Sequence, residues 1–354
     1  MPQLLIEKRK PMRPIVPVHR EQTAPLPGLE SPSVGVRQRV TEHRRQTLHR
    51  QQFRERLIEW FLFLNGLIAV VAIALIFVFL FREGFKAFQE IHPSRFLGHV
   101  DEDYWTGQPV FKMTWQPVGD NSKYSIIPLI CGTFLVAVPA TILAGLFGVG
   151  CGIYLAELAS PKVREIAKPI VELLAGIPSV VLGFFCLAVL ATWMQNLLHT
   201  TFRLNAAVGA VGVAIAIIPV IASVTEDALR AVPDDLREAA LGLGATKGET
   251  IVRVLIPAAI SGITAAVLLG LGRAIGETMI VLMATGNAGL VTANPFSSVR
   301  TMTATIAAEL GAVAQGSQQY QALFLVGAIL FTITFLLNLV AEVVVHRMRS
   351  QLKL

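Results

Sequence analysis

The chain has 354 residues, of which 53% are hydrophobic and 15% charged, and its mean hydropathy is +0.60. These values exclude an ordinary soluble globular domain and indicate a protein that crosses a membrane several times. The net charge of +6 is accounted for by residues 1–59, where twelve Lys and Arg stand against six acidic residues.

Residues 1–59 are predicted to form a basic, partly disordered cytoplasmic tail. Residues 8–33 are rich in Pro, Ser and Gln, a composition that does not support a packed core. Residues 41–60 are predicted to form an interfacial helix that leads into the membrane. A basic arm of this kind can bind nucleic acid, but juxtamembrane segments that attract anionic lipid are commoner. We therefore predict membrane lipid, and no nucleic acid, as its partner.

Residues 60–354 are predicted to form an all-α integral membrane domain with six transmembrane helices. A helix needs about 20 apolar residues to span the bilayer, and six stretches reach this length. They are approximately Trp60–Phe81, Ile127–Tyr154, Ile170–Met194, Ala206–Thr225, Ala258–Thr285 and Ala322–Val345. The core of the domain is predicted to cover residues 127–345, with a polar loop at 226–257 between the fourth and fifth helices.

The Lys and Arg residues of the loops predict the orientation. If the amino terminus lies inside, the cytoplasmic segments hold 22 Lys and Arg and the external segments hold six. Positive residues accumulate on the cytoplasmic side of membrane proteins. Both termini and the loop at 226–257 are therefore predicted to be cytoplasmic, in a multi-pass protein of the cell (inner or plasma) membrane.

Two short helices separated by a turn are predicted in this loop. Pro233 and the acidic residues after it mark a helix start, and apolar residues then recur at helical spacing. Gly244 suits the left-handed conformation that ends a helix. Thr246 and Glu249 fit a capping box that opens the second helix, and Pro257 precedes the fifth apolar segment. By physics alone, the loop is equally consistent with an amphipathic helix lying on lipid.

The loop resembles the EAA motif of ABC-importer permeases, in which Glu-Ala-Ala is followed after three residues by Gly and later by an apolar end that closes on Pro. The residues that carry the motif are Glu238, Ala239, Ala240, Gly244 and Pro257. Val254 and Ile256 are conservative departures from it. In that family the short helix inserts into a groove of a cytoplasmic ATPase. The resemblance therefore implies a type I ABC importer permease fold with an ATPase-coupling helix at this place.

The fifth apolar segment contains two charged residues, Arg273 and Glu277, four positions apart. A charge at the centre of a transmembrane helix costs roughly 2.5–3.5 kcal/mol on insertion scales, so such residues usually have a purpose. On one continuous helix the two share a face and can form an ion pair that locks helices together. The alternative is an anion path, because the planar guanidinium of Arg suits oxyanions.

Six stretches resemble the phosphate-specific transport permeases, and the PstC-type subunit in particular; one is the last apolar segment, ALFLVGAILFTITFLLNLVAEVV (322–344). The other five are GRAIGETM (272–279), ATGN (284–287), AGIPSVVLGFF (175–185), TWQPVG (114–119) and PLICGT (128–133). The resemblance covers about residues 60–347. Together with the residue chemistry, it implies a phosphate pathway through Arg273, Glu277 and Thr278, with Pro178 and Ser179 as candidate pore-lining residues.

The resemblance implies one half of a heterodimeric pore in an ATP-driven importer of inorganic phosphate. Its partners are then a PstA-like permease subunit, two cytoplasmic PstB-like ATPases, which use ATP and Mg, and an extracytoplasmic PstS-like phosphate-binding protein. The chain has no Walker A sequence, so it is predicted to hold no cofactor and to be no enzyme itself. Its three cysteines and seven histidines lack metal-binding spacing, and no metal is predicted.

Several alternatives stay open. A permease for another oxyanion, such as sulfate or molybdate, would carry the same EAA motif, although GRAIGETM argues against it. An ATP-independent secondary transporter or channel would have no use for that motif. The sequence neither supports nor excludes a role in phosphate signalling. The external loop at 82–125, with Tyr104, Trp105 and Trp115, is expected either to dock the binding protein or to pack against the mouth of the pore.

Overall fold

The structure, a computed structural model, describes residues 34–102, 108–119 and 121–351. The chain divides into two compact units, residues 1–71 and residues 72–354. Helix α1 (Val34–Glu90) begins in the first unit and ends in the second. It includes residues 41–60, for which a helix is predicted. The segment predicted to be disordered, 8–33, lies outside the described residues.

Six helices of the described residues are long and apolar enough to cross a membrane, which is the number that the sequence predicts. They cover Glu55–Glu90, Ile127–Leu158, Ser179–Leu198, Ala206–Arg230, Lys247–Gly276 and Gln318–Met348. The helices after α1 are α2 (Ile127–Ile153), α3 (Pro161–Ala175), α4 (Ser179–Phe185), α5 (Ala191–Leu198), α6 (Ala206–Arg230), α7 (Asp234–Gly242), α8 (Lys247–Thr250), α9 (Ile256–Gly276), α10 (Met279–Ala284), α11 (Met302–Glu309) and α12 (Gln318–Gln351). A π turn at Tyr154–Leu158 extends α2, and another at Cys186–Leu190 joins α4 to α5.

The third membrane helix begins at Ser179 and not, as predicted, at Ile170. Residues up to Ala175 belong to α3, a helix of alternating charged and apolar residues in which none is buried. Gly176 and Pro178 separate α3 from α4, because Pro lacks the amide that a continuous helix uses at that position. The prediction counted apolar residues across this break.

The fifth membrane helix differs from the prediction at both ends. It begins at Lys247 and runs through α8, a π turn at Ile251–Leu255 and α9, so Pro257 lies inside one helical run. The π turn directly before α9 departs from the regular hydrogen-bond ladder where Pro257 has no amide to contribute. At the other end α9 stops at Gly276, and the predicted continuous helix to Thr285 is wrong.

The core of the 72–354 unit lies between α2, α6, α9 and α10 and consists largely of small residues. A methyl group added at Gly148 would lie 2.9 Å from the Ile221 side chain, and one added at Gly152 would lie 2.7 Å from the Ala222 carbonyl oxygen. A methyl group added at Gly270 would likewise lie 2.6 Å from the Ile221 side chain. Small residues of this kind let helices approach closely, which is how helices associate within a membrane.

The segment between α1 and α2 adds two antiparallel β ribbons to the helices. Strand β1 (His99–Glu102) pairs with β2 (Pro109–Lys112), and β3 (Trp115–Gln116) pairs with β4 (Lys123–Tyr124). Trp115 is 3% exposed, and its Nε1 donates to Oε1 of Glu309 at 3.0 Å. Trp115 therefore packs into the protein. Tyr104 and Trp105, which were predicted with it, lie outside the described residues.

Candidate functional site

The loop between α6 and α8 contains α7, the predicted coupling helix. Gly244 follows it with φ +87°, a backbone conformation that favours glycine. Thr246 and Glu249 then form the predicted capping box: Oγ1 of Thr246 accepts from the Glu249 amide at 3.3 Å, and Oε2 of Glu249 accepts from the Thr246 amide at 3.0 Å. The predicted sequence of helix, turn and helix is confirmed.

The coupling helix presents most of its side chains to the surface. Glu238, Ala239 and Leu241 are exposed, and Leu243, directly after the helix, is 91% exposed. Ala240 is buried and faces the rest of the protein. Exposed apolar side chains on a short helix suit a groove on another protein. The geometry therefore leaves the EAA residues Glu238 and Ala239 free to contact a partner.

An ion pair joins the coupling helix to the end of α2. Nη2 of Arg237 donates to Oε1 of Glu157, in the π turn after α2, at 2.7 Å. Arg237 also contacts Asp234 within α7. The hydrogen bond to Glu157 raises the pKa of Arg237, so this side chain stays charged. Sequence reasoning missed this pair, because its members are separated by 80 positions.

A second group of ion pairs joins α3 to the end of α6. Glu226 is 1% exposed and contacts Arg164, while Nζ of Lys168 lies 3.4 Å from Glu226 and 3.6 Å from Asp227. A buried carboxylate needs such partners, because an uncompensated charge in a low dielectric is costly. We call residues 154–176 and 226–255, which contain both groups of pairs, the coupling end. One signal in the sequence could have indicated these ion pairs. Glu157 and Glu226 lie at the ends of two apolar segments, on the side of the membrane where the loops hold most Lys and Arg.

The charged residues of the fifth apolar segment lie at a break between two helices. After α9, Glu277 has an extended backbone with φ −65° and ψ 133°, and α10 begins at Met279. Oε1 of Glu277 accepts from the amides of Thr278 at 3.1 Å and Ile280 at 3.4 Å. These are amides that a helix start leaves without a partner. The Glu277 carboxylate therefore caps α10. The backbone carbonyl oxygen of Glu277 in turn accepts from Oγ1 of Thr303 at 2.7 Å.

Arg273 and Glu277 form no ion pair within the described residues, so the ion pair that their spacing allows on one continuous helix is not made. The prediction needed a helix that continues through Glu277, whereas α9 ends one residue before it. Arg273 is exposed on α9, and no described residue hydrogen-bonds or pairs with its guanidinium. Its charge is consequently available to a partner or a ligand.

A cavity of about 470 Å³ lies beside the break. Thr278, Thr303 and Thr334 line it among apolar side chains, and Gly276 borders it without any atom within 4 Å of where a methyl group would lie. The candidate pore-lining residues Pro178 and Ser179 do not line this cavity but begin α4.

Helix α4 packs against α10, which begins at the break. A methyl group added at Gly183 of α4 would lie 2.9 Å from the Met279 carbonyl oxygen at the start of α10. The structure thus brings the third membrane helix next to the break, although the two segments are about a hundred positions apart in the sequence.

Comparison with known proteins gives concordant matches. Residues 148–350 match the family described as the binding-protein-dependent transport system inner membrane component. The probable ABC transporter permease protein YqgH of Bacillus subtilis strain 168 is 32% identical over 273 residues, which cover 77% of this chain and 84% of that protein. The phosphate transport system permease protein PstC of Mesorhizobium japonicum is 36% identical over 257 residues, covering 67% and 78%.

Two further proteins are similar over most of their own length. The phosphate transport system permease protein PstC 1 of Mycobacterium tuberculosis is 34% identical over 253 residues, which cover 65% of this chain and 74% of that protein. Among solved structures, an inward-facing MetNI methionine ABC transporter aligns over 63% of this chain and 94% of its own, with a TM-score of 0.49 and 18% identity.

Proposed function

Because this chain belongs to the family of binding-protein-dependent transport system inner membrane components, we propose that it is a permease subunit of an ATP-driven importer of inorganic phosphate. Similarity to phosphate permeases supports phosphate as the cargo. The observation that carries the proposal is the coupling helix, which exposes Glu238, Ala239 and Leu243 at one end of the membrane helices. A pore that needed no ATPase would have no use for such a surface.

The coupling helix docks into a groove of a cytoplasmic ATPase in this proposal. Glu238 and Ala239 contact the groove, Ala240 holds the helix to the permease, and Gly244 turns the chain back toward the membrane. Pro257 lies in the helical run that returns into the bilayer. Their exposure and backbone conformations support these roles, and a short helix set in a groove is a common mode of protein recognition.

The complex contains four kinds of subunit in this proposal. This chain and a PstA-like permease form the pathway, two PstB-like ATPases bind ATP and Mg below it, and a PstS-like protein delivers phosphate from outside. The chain itself hydrolyses no ATP and needs no cofactor. Both termini lie on the side of the coupling helix, in the cytoplasm, and the basic amino-terminal tail contacts membrane lipid.

Arg273 supplies the charge that attracts phosphate into the pathway. Its exposed guanidinium without a partner among the described residues supports this role, and Arg is well suited to oxyanions. Glu277 keeps the helix break open at Thr278, and its second carboxylate oxygen accepts a hydrogen bond from protonated phosphate. Sulfate has no such proton at neutral pH, so an acceptor there favours phosphate. Pro178 and Ser179 line the pathway from the third membrane helix.

Uptake of labelled phosphate and labelled sulfate in a deletion strain tests the cargo. We expect this chain to restore phosphate uptake and to leave sulfate uptake unchanged. Restoration of sulfate uptake alone would identify a permease for another oxyanion. Phosphate uptake that persists when the partner ATPase cannot hydrolyse ATP would identify a secondary transporter or channel.

The variant Arg273→Met tests the anion path. Because no described residue pairs with Arg273, its removal leaves no unpaired carboxylate, and the amount of folded protein should stay unchanged while phosphate uptake falls to background. Arg82→Met, which removes another exposed arginine near the end of α1, is the matched control and should retain uptake. Normal uptake by Arg273→Met would contradict the proposed path.

A further inference from the structure

The ion pair between Arg237 and Glu157 is the one hydrogen-bonded link from the coupling helix to α2 among the described residues. We propose that this pair, which we call the coupling latch, carries the movement of α7 to α2 when the ATPases close, so that Arg237 and Glu157 are positioning residues for transport. The inference rests on the proposed function, because it assumes that α7 docks on an ATPase.

The coupling helix is only lightly packed on the rest of the permease. A cavity of about 480 Å³ lies between Leu236 of α7, the end of α6 at Ala228 and the start of α9 at Ala258. Of the helix itself, only Ala240 is buried. Apolar packing transmits a displacement only where atoms are in contact. With a cavity beside Leu236 and one buried residue in α7, the ion pair is, among the described residues, the one charged hydrogen bond that joins α7 to a membrane helix other than its neighbours in the chain.

The two partners are placed to transmit force. The Glu157 side chain is 6% exposed, and that of Arg237 is 28% exposed. Arg237 is also held by Asp234, one turn earlier in α7, which fixes the direction of its guanidinium. A charge-assisted hydrogen bond in such a partly buried place is shorter and stronger than one between neutral groups. Glu157 therefore follows Arg237 when α7 moves.

Movement of Glu157 reaches the core because α2 and α6 fit closely. One turn before Glu157, Gly152 leaves no space for a methyl group against Ala222 and Thr225 of α6. Closely packed helices of this kind move as rigid bodies. The pair between Arg164 and Glu226 joins α3 to the same end of α6 but does not touch α7. It offers a matched control, an ion pair at the same end that bypasses the coupling helix.

The first test measures phosphate transported per ATP hydrolysed by the whole importer in proteoliposomes. We expect Arg237→Gln and Glu157→Gln to lower this ratio at least about fivefold, the lower range of allosteric coupling, while ATP hydrolysis continues. Arg237→Lys keeps the charge and should recover part of the ratio. The exchange Glu157→Arg with Arg237→Glu restores an ion pair and should recover a smaller part, because Glu at position 237 stands one turn from Asp234. Arg164→Gln should leave the ratio unchanged. An unchanged ratio in folded Arg237→Gln complexes would overturn the latch.

The second test does not depend on the cargo. Spin labels on cysteines placed at Leu241 in α7 and Tyr154 at the end of α2, both exposed, report whether these elements move together. With Arg237 in place, we expect the distance between the two labels to be the same in the nucleotide-free and the ATP-trapped complexes. With Arg237→Gln, we expect this distance to differ between the two complexes. A wild-type distance that changes with nucleotide would overturn the latch. An importer that moves sulfate and not phosphate would contradict the proposed cargo and leave this result standing.

Discussion

The two ends of the membrane helices are held together by different kinds of bond. At the coupling end, the segments 154–176 and 226–255 are joined by side-chain ion pairs through the buried carboxylates Glu157 and Glu226. The described parts of 91–126, 198–207 and 285–318, which we call the loop end, are joined largely through the backbone. The bonds between segments run from Trp115 to Gly289, from Ala206 to Ser297 and from Ala207 to Pro295, at 2.7 to 3.0 Å, and Ile126 donates to Phe96 at 2.9 Å within the first segment.

The difference shows which end is suited to move. Backbone bonds and close approaches fix the loop end, and Glu309 adds to them by accepting from Trp115, Gln319 and Arg300. The described segments of the coupling end exchange no backbone hydrogen bond with one another. Its polar connections are single side chains, which can be removed one at a time, beside an apolar cluster that includes Leu229 and Leu255. We therefore expect the loop end to respond to volume and the coupling end to respond to charge.

The largest effect should come from leaving Glu226 without its cations. In Arg164→Leu with Lys168→Leu, a carboxylate that is 1% exposed loses both partners, which should cost about 3–5 kcal/mol of stability. The thermal unfolding midpoint of the purified importer measures this loss. Adding Glu226→Leu removes the stranded charge and should recover most of it. If the triple variant were as unstable as the double, the loss would come from packing and the comparison would fail.

Gly132 tests the claim that the loop end responds to volume. A methyl group there would lie 2.2 Å from the Arg300 carbonyl oxygen, whereas at Gly150 of the same helix nothing lies within 4 Å. Gly132→Val should therefore lower stability by about 1–3 kcal/mol, and Gly150→Val should cost far less. Folded yield and unfolding midpoint measure both. Equal costs would mean that the helix, and not the close approach, determines the result.

Gly244 tests the backbone of the coupling end. Its φ of +87° is unfavourable for a β-branched residue, and a left-handed residue costs about 1–2 kcal/mol. Gly244→Val should reorient the coupling helix, so that ATP hydrolysis continues and phosphate uptake falls. Gly242→Val, at a position of α7 with nothing within 4 Å, is the control. Gly244→Asp and Glu238→Lys should likewise uncouple transport without loss of insertion, and normal transport by all three would reject the coupling assignment.

The helix break between the two ends should respond to the loss of a cap. Glu277→Ala removes the acceptor for the Thr278 and Ile280 amides and should cost about 1 kcal/mol, the usual value for a cap. Glu277→Gln keeps a side-chain oxygen and should cost less, while weakening discrimination against sulfate. Unfolding midpoints of the two variants measure the cap. If Gln were as destabilising as Ala, the carboxylate charge and not its hydrogen bonds would hold the break.

The smallest effect concerns pH at the loop end. The hydrogen bond from Lys123 lowers the pKa of the Asp101 carboxyl. A lowered pKa stabilises the fold above the carboxyl's unfolded pKa, and this contribution disappears as pH falls through the folded pKa. Wild type should therefore unfold at a slightly higher temperature than Asp101→Asn at pH 7, with the difference vanishing in acid. A difference that persists well below pH 3 would contradict this origin.

The helix, turn and helix of the loop at 226–257 were predictable because their signals are local. Pro233, Gly244 and the pair of Thr246 with Glu249 lie within 17 positions, and each acts on its own backbone. The start of the third membrane helix was also marked locally, by Gly176 and Pro178, but the count of apolar residues outweighed these two signals.

The break at Glu277 was not predictable in the same way. It depends on Thr303, which donates to the Glu277 carbonyl oxygen from 26 positions away, and on α4 packing against α10 at Gly183. The ion pairs of the coupling end likewise join residues separated by 62 and 80 positions. Spacing along the chain contains no information on such contacts. The sequence therefore left both an ion pair and an anion path open for Arg273 and Glu277, whereas in the structure Glu277 caps α10 and no described residue pairs with Arg273.

The central claim is that this chain moves phosphate only when its coupling helix is driven by ATP hydrolysis. The most direct measurement is labelled phosphate uptake by the complete importer in proteoliposomes, with active ATPases and with ATPases that bind ATP but cannot hydrolyse it. We predict uptake that follows hydrolysis with the former and no uptake above empty liposomes with the latter. Equal uptake in the two preparations would contradict the account.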